Sequence, residues 1–180
     1  MLTAFWPQRW SRQQRSNATL VSAVILMVLA LALLGQLLSF LPEPIGSNAQ
    51  AFSEGARTTL WLTLISGAVG LVLGTVAALA RTARWVAVRW AASLYIWAIR
   101  GTPLLVQILF VYFALPVLVP GLNLPDFAAA VVALGLNVGA YNAEALRAGL
   151  LAVPRGQTEA ARALGLGRVH VFLDVVFPQA

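Results

Sequence analysis

Residues 18–41 read ATLVSAVILMVLALALLGQLLSFL, 24 positions without a charged side chain. At ~1.5 Å per helical residue, such a run reaches ~36 Å and can cross a hydrocarbon layer about 30 Å thick. Residues 58–80, TTLWLTLISGAVGLVLGTVAALA, form a second uncharged run of 23. The rest of the chain is equally poor in what a water-facing surface requires. Of its 180 residues, 60% are hydrophobic and only 10% charged, against roughly 25% charged in a soluble domain. Mean hydropathy is +0.83. The composition predicts an all-α membrane protein, a polytopic bundle of transmembrane helices. The first run is far longer than the apolar core of a cleaved signal, roughly 7–15 residues, although Ala49-Gln50-Ala51 has the form of a cleavage site.

Working outward, spans are expected at about 18–41, 58–80, 102–119 and 127–150, with a further span beginning over 169–180. The third is interrupted by Arg100, Gly101, Thr102 and Pro103. Two arrangements fit: one helix kinked at Pro103, or a short interfacial helix ending near Ile99 and a span that starts at Pro103. Proline suits a first helical turn and disfavours the α conformation in the residue before it, which favours the second.

All twelve basic residues are arginines, and they alternate with apolar spans instead of forming one patch, so the net charge of +6 points to a membrane and not to nucleic acid. With a cytoplasmic N-terminus over 1–17, ten arginines lie inside: Arg9, Arg12, Arg15, Arg81, Arg84, Arg89, Arg147, Arg155, Arg162 and Arg168. Arg57 alone lies outside, and Arg100 lies within or near the membrane. The positive-inside bias selects this topology and puts residues 153–168 in the cytoplasm. There is no cysteine, and His170 is the single histidine. Neither a disulfide nor a metal site is expected, and no cofactor.

Polar groups inside the spans are the candidates for function. Asn137, Tyr141 and Glu144, at i, i+4 and i+7, fall within about 60° on one helical face. Thr59, Thr63, Ser66 and Gly70 make a similar stripe on the second span. Lipid does not solvate a glutamate, so the Glu144 face turns toward protein or a water-filled path. Glu144 either pairs with Arg147 one turn away or lines that path. Arg100 needs an anion, a carbonyl cluster or the interface; a helix starting just after it would aim N–H groups at an anion. Gln107 shares its face if the helix is continuous. These five residues, Arg100, Gln107, Asn137, Tyr141 and Glu144, form a candidate substrate pathway. Gly70-Leu-Val-Leu-Gly74 and Gly135-Leu-Asn-Val-Gly139 are small-xxx-small patterns that permit close helix contact, within one subunit or in a dimer.

Between the last two apolar stretches lies Arg155-Gly-Gln-Thr-Glu-Ala-Ala-Arg-Ala-Leu-Gly165, a short helix (about 155–165) opened after Pro154 and stopped by Gly165. Its surface is mostly alanine, with Glu159 and Arg162 at i, i+3. Such a helix either lies in another protein's groove, where the charged ends fix its register, or is a solvated loop.

Glu159-Ala160-Ala161, Gly165 six positions after the glutamate, then Val175-Val176-Phe177-Pro178 resembles the EAA loop of bacterial ABC-importer permeases. That pattern is E-A-A-x-x-x-G, nine residues, then I-x-L-P; only Val175 and Phe177 differ. Arg100-Gly-Thr-Pro-Leu-Leu-Val-Gln107 and Ala140-Tyr-Asn-Ala-Glu-Ala-Leu-Arg147, leading into Val153-Pro-Arg-Gly-Gln157, are similar to the polar amino acid uptake family. The resemblance runs from about Gly55 onward. It implies a small permease fold in the bacterial inner membrane, paired with a second permease subunit, identical or paralogous. It also implies a cytoplasmic ABC ATPase dimer and an extracytoplasmic solute-binding protein as partners. Glu159, Ala160, Ala161, Arg162 and Gly165 would form the ATPase-coupling helix. ATP would be hydrolysed on the partner, so the chain is not itself an enzyme. Members of the family continue through at least one more span, which makes a C-terminally truncated sequence the expectation. Rival readings are a permease for another small solute, an ATPase-independent carrier or channel, and an assembly subunit. A carrier would call for inverted repeats and paired broken helices, and only one broken region is visible.

Overall fold

The computed structural model describes residues 11–180; Arg9 lies outside the described residues. Every regular element among them is helical, the all-α bundle the composition predicts. The chain divides into two compact units, Met1–Trp61 and Leu62–Ala180.

In the first unit, α1 (Arg12–Ser39) opens on a capping box. Ser11 accepts from the Gln14 amide at 3.2 Å, and Gln14 accepts from the Ser11 amide at 3.0 Å. Two otherwise orphaned donors are thereby satisfied. None of the residues of α1 is buried, and Leu20, Leu26 and Leu37 are exposed, as suits a helix bathed in lipid. After a one-turn helix (Gly46–Asn48), the chain reverses into α2 (Ala49–Ala80). Gly35 sits against Ser53, where an added Cβ would lie 3.4 Å from the serine Cβ.

The second unit holds the remainder of α2, then α3 (Val86–Gly101), α4 (Leu104–Leu109), a π-helical turn (Phe110–Ala114) and α5 (Leu115–Leu118). It continues through α6 (Asp126–Ala152), α7 (Arg155–Ala163), α8 (Arg168–His170), a second π-helical turn (Val171–Val176) and α9 (Phe177–Gln179). Among the described residues three helices are long and apolar enough to cross a membrane: Arg12–Ser39, Gly46–Ala80 and Asp126–Ala152. The bent pair Val86–Gly101 and Leu104–Leu118 brings the number to four if it is one span.

α6 is the hub, and α3, α4 and the first π turn all pack on it. Its buried residues are Ala129, Ala133, Gly135, Gly139, Ala140 and Ala143. Lipid supplies no hydrophobic force between helices, so association relies on close backbone approach and internal polar bonds. The two small-xxx-small patterns meet each other inside this one chain. A Cβ on Gly70 would lie 2.5 Å from Val138, and one on Gly74 would lie 2.7 Å from Asn142 and 2.9 Å from the Gly139 carbonyl. A Cβ on Gly139 would lie 2.7 Å from the Tyr95 hydroxyl, which donates to the Leu136 carbonyl at 2.7 Å and ties α3 to α6.

The third region is not a continuous helix. α3 and the helix after it differ in direction by 111°, so Gln107 does not continue the Arg100 face. Thr102 is extended (φ −117°, ψ 145°), the conformation a following proline favours, and Pro103 has no N–H to extend the ladder. Both π turns also precede prolines. The Leu115 amide reaches back to Phe110 ahead of Pro116, and the Phe177 amide reaches back to Phe172 ahead of Pro178. A proline ring clashes with the carbonyl four residues earlier, and the wider turn relieves it.

Gly139→Ala is expected to destabilise the protein by about 1–3 kcal/mol through overpacking, read as a lower melting temperature in detergent. Gly67→Ala, with nothing within 4 Å of its added Cβ, serves as the neutral control. Adding Tyr95→Phe to Gly139→Ala removes the nearest clashing atom and should recover part of the loss; a double variant no better than the single one contradicts this packing.

Candidate functional site

The Asn137, Tyr141 and Glu144 face of α6 meets a different neighbour at each step. Asn137 donates to the Gln107 side-chain oxygen at 3.1 Å. The Arg100 guanidinium stands 5.3 Å from the centre of the Tyr141 ring, a cation–π distance. Glu144 accepts from Arg81 at 2.8 Å, and its other oxygen accepts from Arg147. The carboxylate therefore links Arg81, just past the end of α2, to Arg147 one turn further along α6.

Of the five candidate pathway residues, the fold makes two groups. Gln107 is buried, and its amide donates to the carbonyls of Ile99 at 2.7 Å and Thr102 at 3.0 Å. Those are carbonyls left over where α3 breaks, and a buried unpaired carbonyl is costly. With its oxygen taken by Asn137, Gln107 has its capacity spent on the break itself. Gln107 lies in the wall of an apolar cavity of about 480 Å³ between α3, α4 and α6.

Arg100, Tyr141 and Glu144 make the second group. A separate open cavity of about 530 Å³ is lined by Arg81, Ser93, Ile96, Trp97, Arg100, Gly101 and Glu144. Arg81 and Arg100 outnumber the single carboxylate in its wall, and that carboxylate is also paired with Arg147, so the site carries net positive charge. It has guanidinium donors for a carboxylate, the Trp97 indole for an apolar or cationic group and one acceptor carboxylate, with Tyr141 beside it against Arg100. Neither Arg81 nor Ser93 was a sequence candidate for this site. Arg81 joins Glu144 across 63 positions of chain, a separation at which helical periodicity carries no information.

The segment 155–165 makes a different kind of surface. Its helix, α7, follows Pro154 and ends in a full Schellman motif: Leu166 N–H to Ala161 C=O at 3.2 Å and Gly165 N–H to Arg162 C=O at 2.9 Å. Gly165 has φ +82°, the left-handed region that glycine occupies without penalty. Glu159, Ala160, Arg162 and Gly165 are exposed, whereas Ala161 is buried on the side that packs against the π turn Val171–Val176. Alanine on both faces allows close contact inward and leaves a smooth outer surface edged by two charges. Among the described residues no cluster of His, Cys, Asp or Glu has a metal-binding arrangement.

Residues 70–180 match the family described as "Binding-protein-dependent transport system inner membrane component". The chain is 44% identical over 128 residues to the glutamine transport system permease protein GlnP of Escherichia coli K12, covering 71% of this chain and 58% of that protein. It is 41% identical to the L-cystine transport system permease protein TcyB of Bacillus subtilis (71% and 54% covered). To the arginine transport system permease protein ArtQ of Bacillus subtilis it is 43% identical (71% and 58% covered). The chain thus spans rather more than half the length of these relatives. A crystal structure of an amino acid ABC transporter with histidines superposes with a TM-score of 0.61 at 44% identity, covering 67% of this chain and 56% of that one.

The geometry around Glu144 predicts an asymmetry in its ion pairs. Glu144→Gln removes the only carboxylate paired with Arg81 and Arg147 among the described residues and should lower thermal stability more than Arg81→Gln does. The Glu144→Gln/Arg81→Gln double variant should be no less stable than Glu144→Gln alone, because the second change removes a cation already left unpaired. Strictly additive losses in a melting series would show that the pair is not coupled.

Proposed function

The chain belongs to the family of binding-protein-dependent transport system inner membrane components, and on that footing we propose that it is a permease subunit of an ATP-binding-cassette importer for polar amino acids. In this role it forms part of the translocation path with a second permease subunit. An extracytoplasmic binding protein delivers the solute, and a cytoplasmic ATPase dimer docks on α7. The N-terminus and α7 face the cytoplasm, as the arginine distribution favours.

The observation that carries the reading is α7 itself. It is a short helix held between two apolar segments, ended by a rigid glycine turn, and presenting Glu159, Ala160 and Arg162 outward. A solvated loop needs neither an alanine surface nor so firm a stop. A knob pressed into a partner's groove needs both, because small side chains permit close approach and a fixed helix transmits displacement. The permeases of glutamine, cystine and arginine among its relatives support an amino acid as cargo. So does the chemistry around Glu144. Arg100 and Arg81 suit the α-carboxylate, while Tyr141 and Glu144 suit the ammonium group. Arg100, Tyr141 and Glu144 are therefore proposed to face the solute. Gln107 and Asn137 are proposed to shape the path by holding the helix break.

Co-expression of the complete permease with its ATPase tests the docking. Glu159→Arg should abolish co-purification of the ATPase while leaving membrane insertion intact. Glu144→Ala should change the concentration dependence of uptake by at least about ten-fold, the scale of one lost charged contact, with ATPase association unaltered. Unchanged co-purification of Glu159→Arg removes the coupling role, and unchanged uptake by Glu144→Ala removes the solute contact.

A further inference from the structure

A third, smaller opening, which shares Arg81 and Ser93 with the cavity beside Glu144, lies by the turn between α2 and α3; it is about 360 Å³ in volume and lined by Arg81, Arg89, Trp90 and Ser93. Every one of these side chains carries a hydrogen-bond donor: two guanidiniums, an indole N–H and a hydroxyl. None is acidic. From Gly55 to Pro125 the sequence contains no aspartate or glutamate at all, yet Arg81, Arg84 and Arg89 follow one another within nine positions. Glu144 is the carboxylate that reaches this group; it pairs with Arg81 and is shared with Arg147. Arg89 donates to the Ala83 carbonyl at 3.2 Å. That bond folds the guanidinium back across the turn and supplies no negative charge. Its positive charge is uncompensated by any carboxylate among the described residues.

The position of the opening narrows the ligand. Arg81 directly follows Ala80, the last residue of α2, so the pocket stands where an apolar helix meets water. Trp90 lines it, and Trp85, which caps α3, and Trp97, further along α3, are like Trp90 about three-quarters exposed. Indoles settle at headgroup depth, where an apolar ring and a polar N–H are both accommodated. Basic residues at the same depth attract anionic lipids. A soluble anion would need only the arginines, whereas a lipid would use the arginines for its phosphate and the indole faces for its glycerol and upper chains.

We propose that Arg89, Arg81, Trp90 and Ser93 form a binding site for the phosphate of an anionic membrane lipid. The site shares Arg81 and Ser93 with the cavity beside Glu144, whereas Arg89 and Trp90 belong to it alone, so variants at those two positions test it separately from the importer reading.

Native mass spectrometry of the intact protein, loaded with phosphatidylglycerol or phosphatidylcholine of the same chains, tests the site. The wild type should retain phosphatidylglycerol preferentially. Arg89→Gln should weaken that retention by about five-fold, the factor that ~1 kcal/mol of attraction per surface arginine gives, and leave phosphatidylcholine adducts and the melting temperature in neutral detergent unchanged. Trp90→Leu should weaken retention of both lipids. Inorganic phosphate at millimolar concentration should fail to displace the lipid. Equal retention of the two lipids by the wild type, or unaltered retention by a folded Arg89→Gln protein, overturns the site. Displacement by inorganic phosphate overturns its assignment to lipid.

Discussion

α6 can take an amide, a phenol and a carboxylate through a bilayer only because its neighbours come close enough to answer them. Distance is the governing quantity. Glycine and alanine along α6, facing Gly70 and Gly74 of α2, draw the two backbones together until a single added Cβ would lie 2.5–2.9 Å from the opposing helix. At that separation Arg81, just past the end of α2, reaches Glu144, and the Tyr95 hydroxyl reaches the α6 backbone. Larger residues on α6 would hold the helices apart and strand those polar groups in hydrocarbon, where each costs several kcal/mol, roughly, if unpaired. Small residues and polar residues on this helix are therefore one design and not two.

The prolines obey the same accounting. Each deprives a helix of a donor inside a medium that offers no replacement, and each is answered nearby. At Pro103 the chain abandons the helix, turns through 111°, and uses the Gln107 amide to satisfy the carbonyls of Ile99 and Thr102. At Pro116 and Pro178 the helix continues but widens by one residue per turn. Gln107 sits one turn into α4, braced by Asn137 of α6, so the break at Pro103 has a polar side chain to close it. At Pro178 the neighbouring Gln179 amide also donates to the Val175 carbonyl at 2.8 Å, but the chain stays helical there and is not broken as at Pro103.

How much of this was legible in the sequence follows from range. Charge-free runs, the arginine distribution and the punctuation by Pro103, Pro154 and Gly165 are local, and the all-α membrane class and the family followed from them. The face shared by Asn137, Tyr141 and Glu144 is also local, being fixed by helical periodicity. What answers that face is not. The partnership of Glu144 with Arg81, the pinning of α6 by Tyr95 and the closure of the break by Gln107 all depend on tertiary placement. Reading Gln107 on the Arg100 face required an unbroken helix, and the 111° bend removes that premise. The small-xxx-small patterns were ambiguous between packing within a subunit and packing between subunits. Only the approach of Gly70 to Val138 and Gly74 to Asn142 identifies each as the other's counterpart.

Mechanical consequences follow for the proposed role of α7. α6 runs unbroken from Asp126 to Ala152, and only Val153 and Pro154 separate it from α7. Val153 is extended, and Pro154 fixes one of its own dihedrals, so the joint has little slack. α7 also leans back on the π turn Val171–Val176, with Ala161 and Val171 as the buried residues of the two elements. A force on Glu159 and Ala160 therefore passes both to α6, through the Val153-Pro154 joint, and to the following segment, through the packed Val171–Val176 turn. Because Glu144 lies two turns before the end of α6 and is tied to Arg81 of α2, displacement of α7 would be felt first at that ion pair. The proposed docking helix α7 and the proposed solute contact Glu144 on α6 are thus joined by a short, stiff connection, an arrangement by which a partner's closure could alter access to a polar site within the membrane.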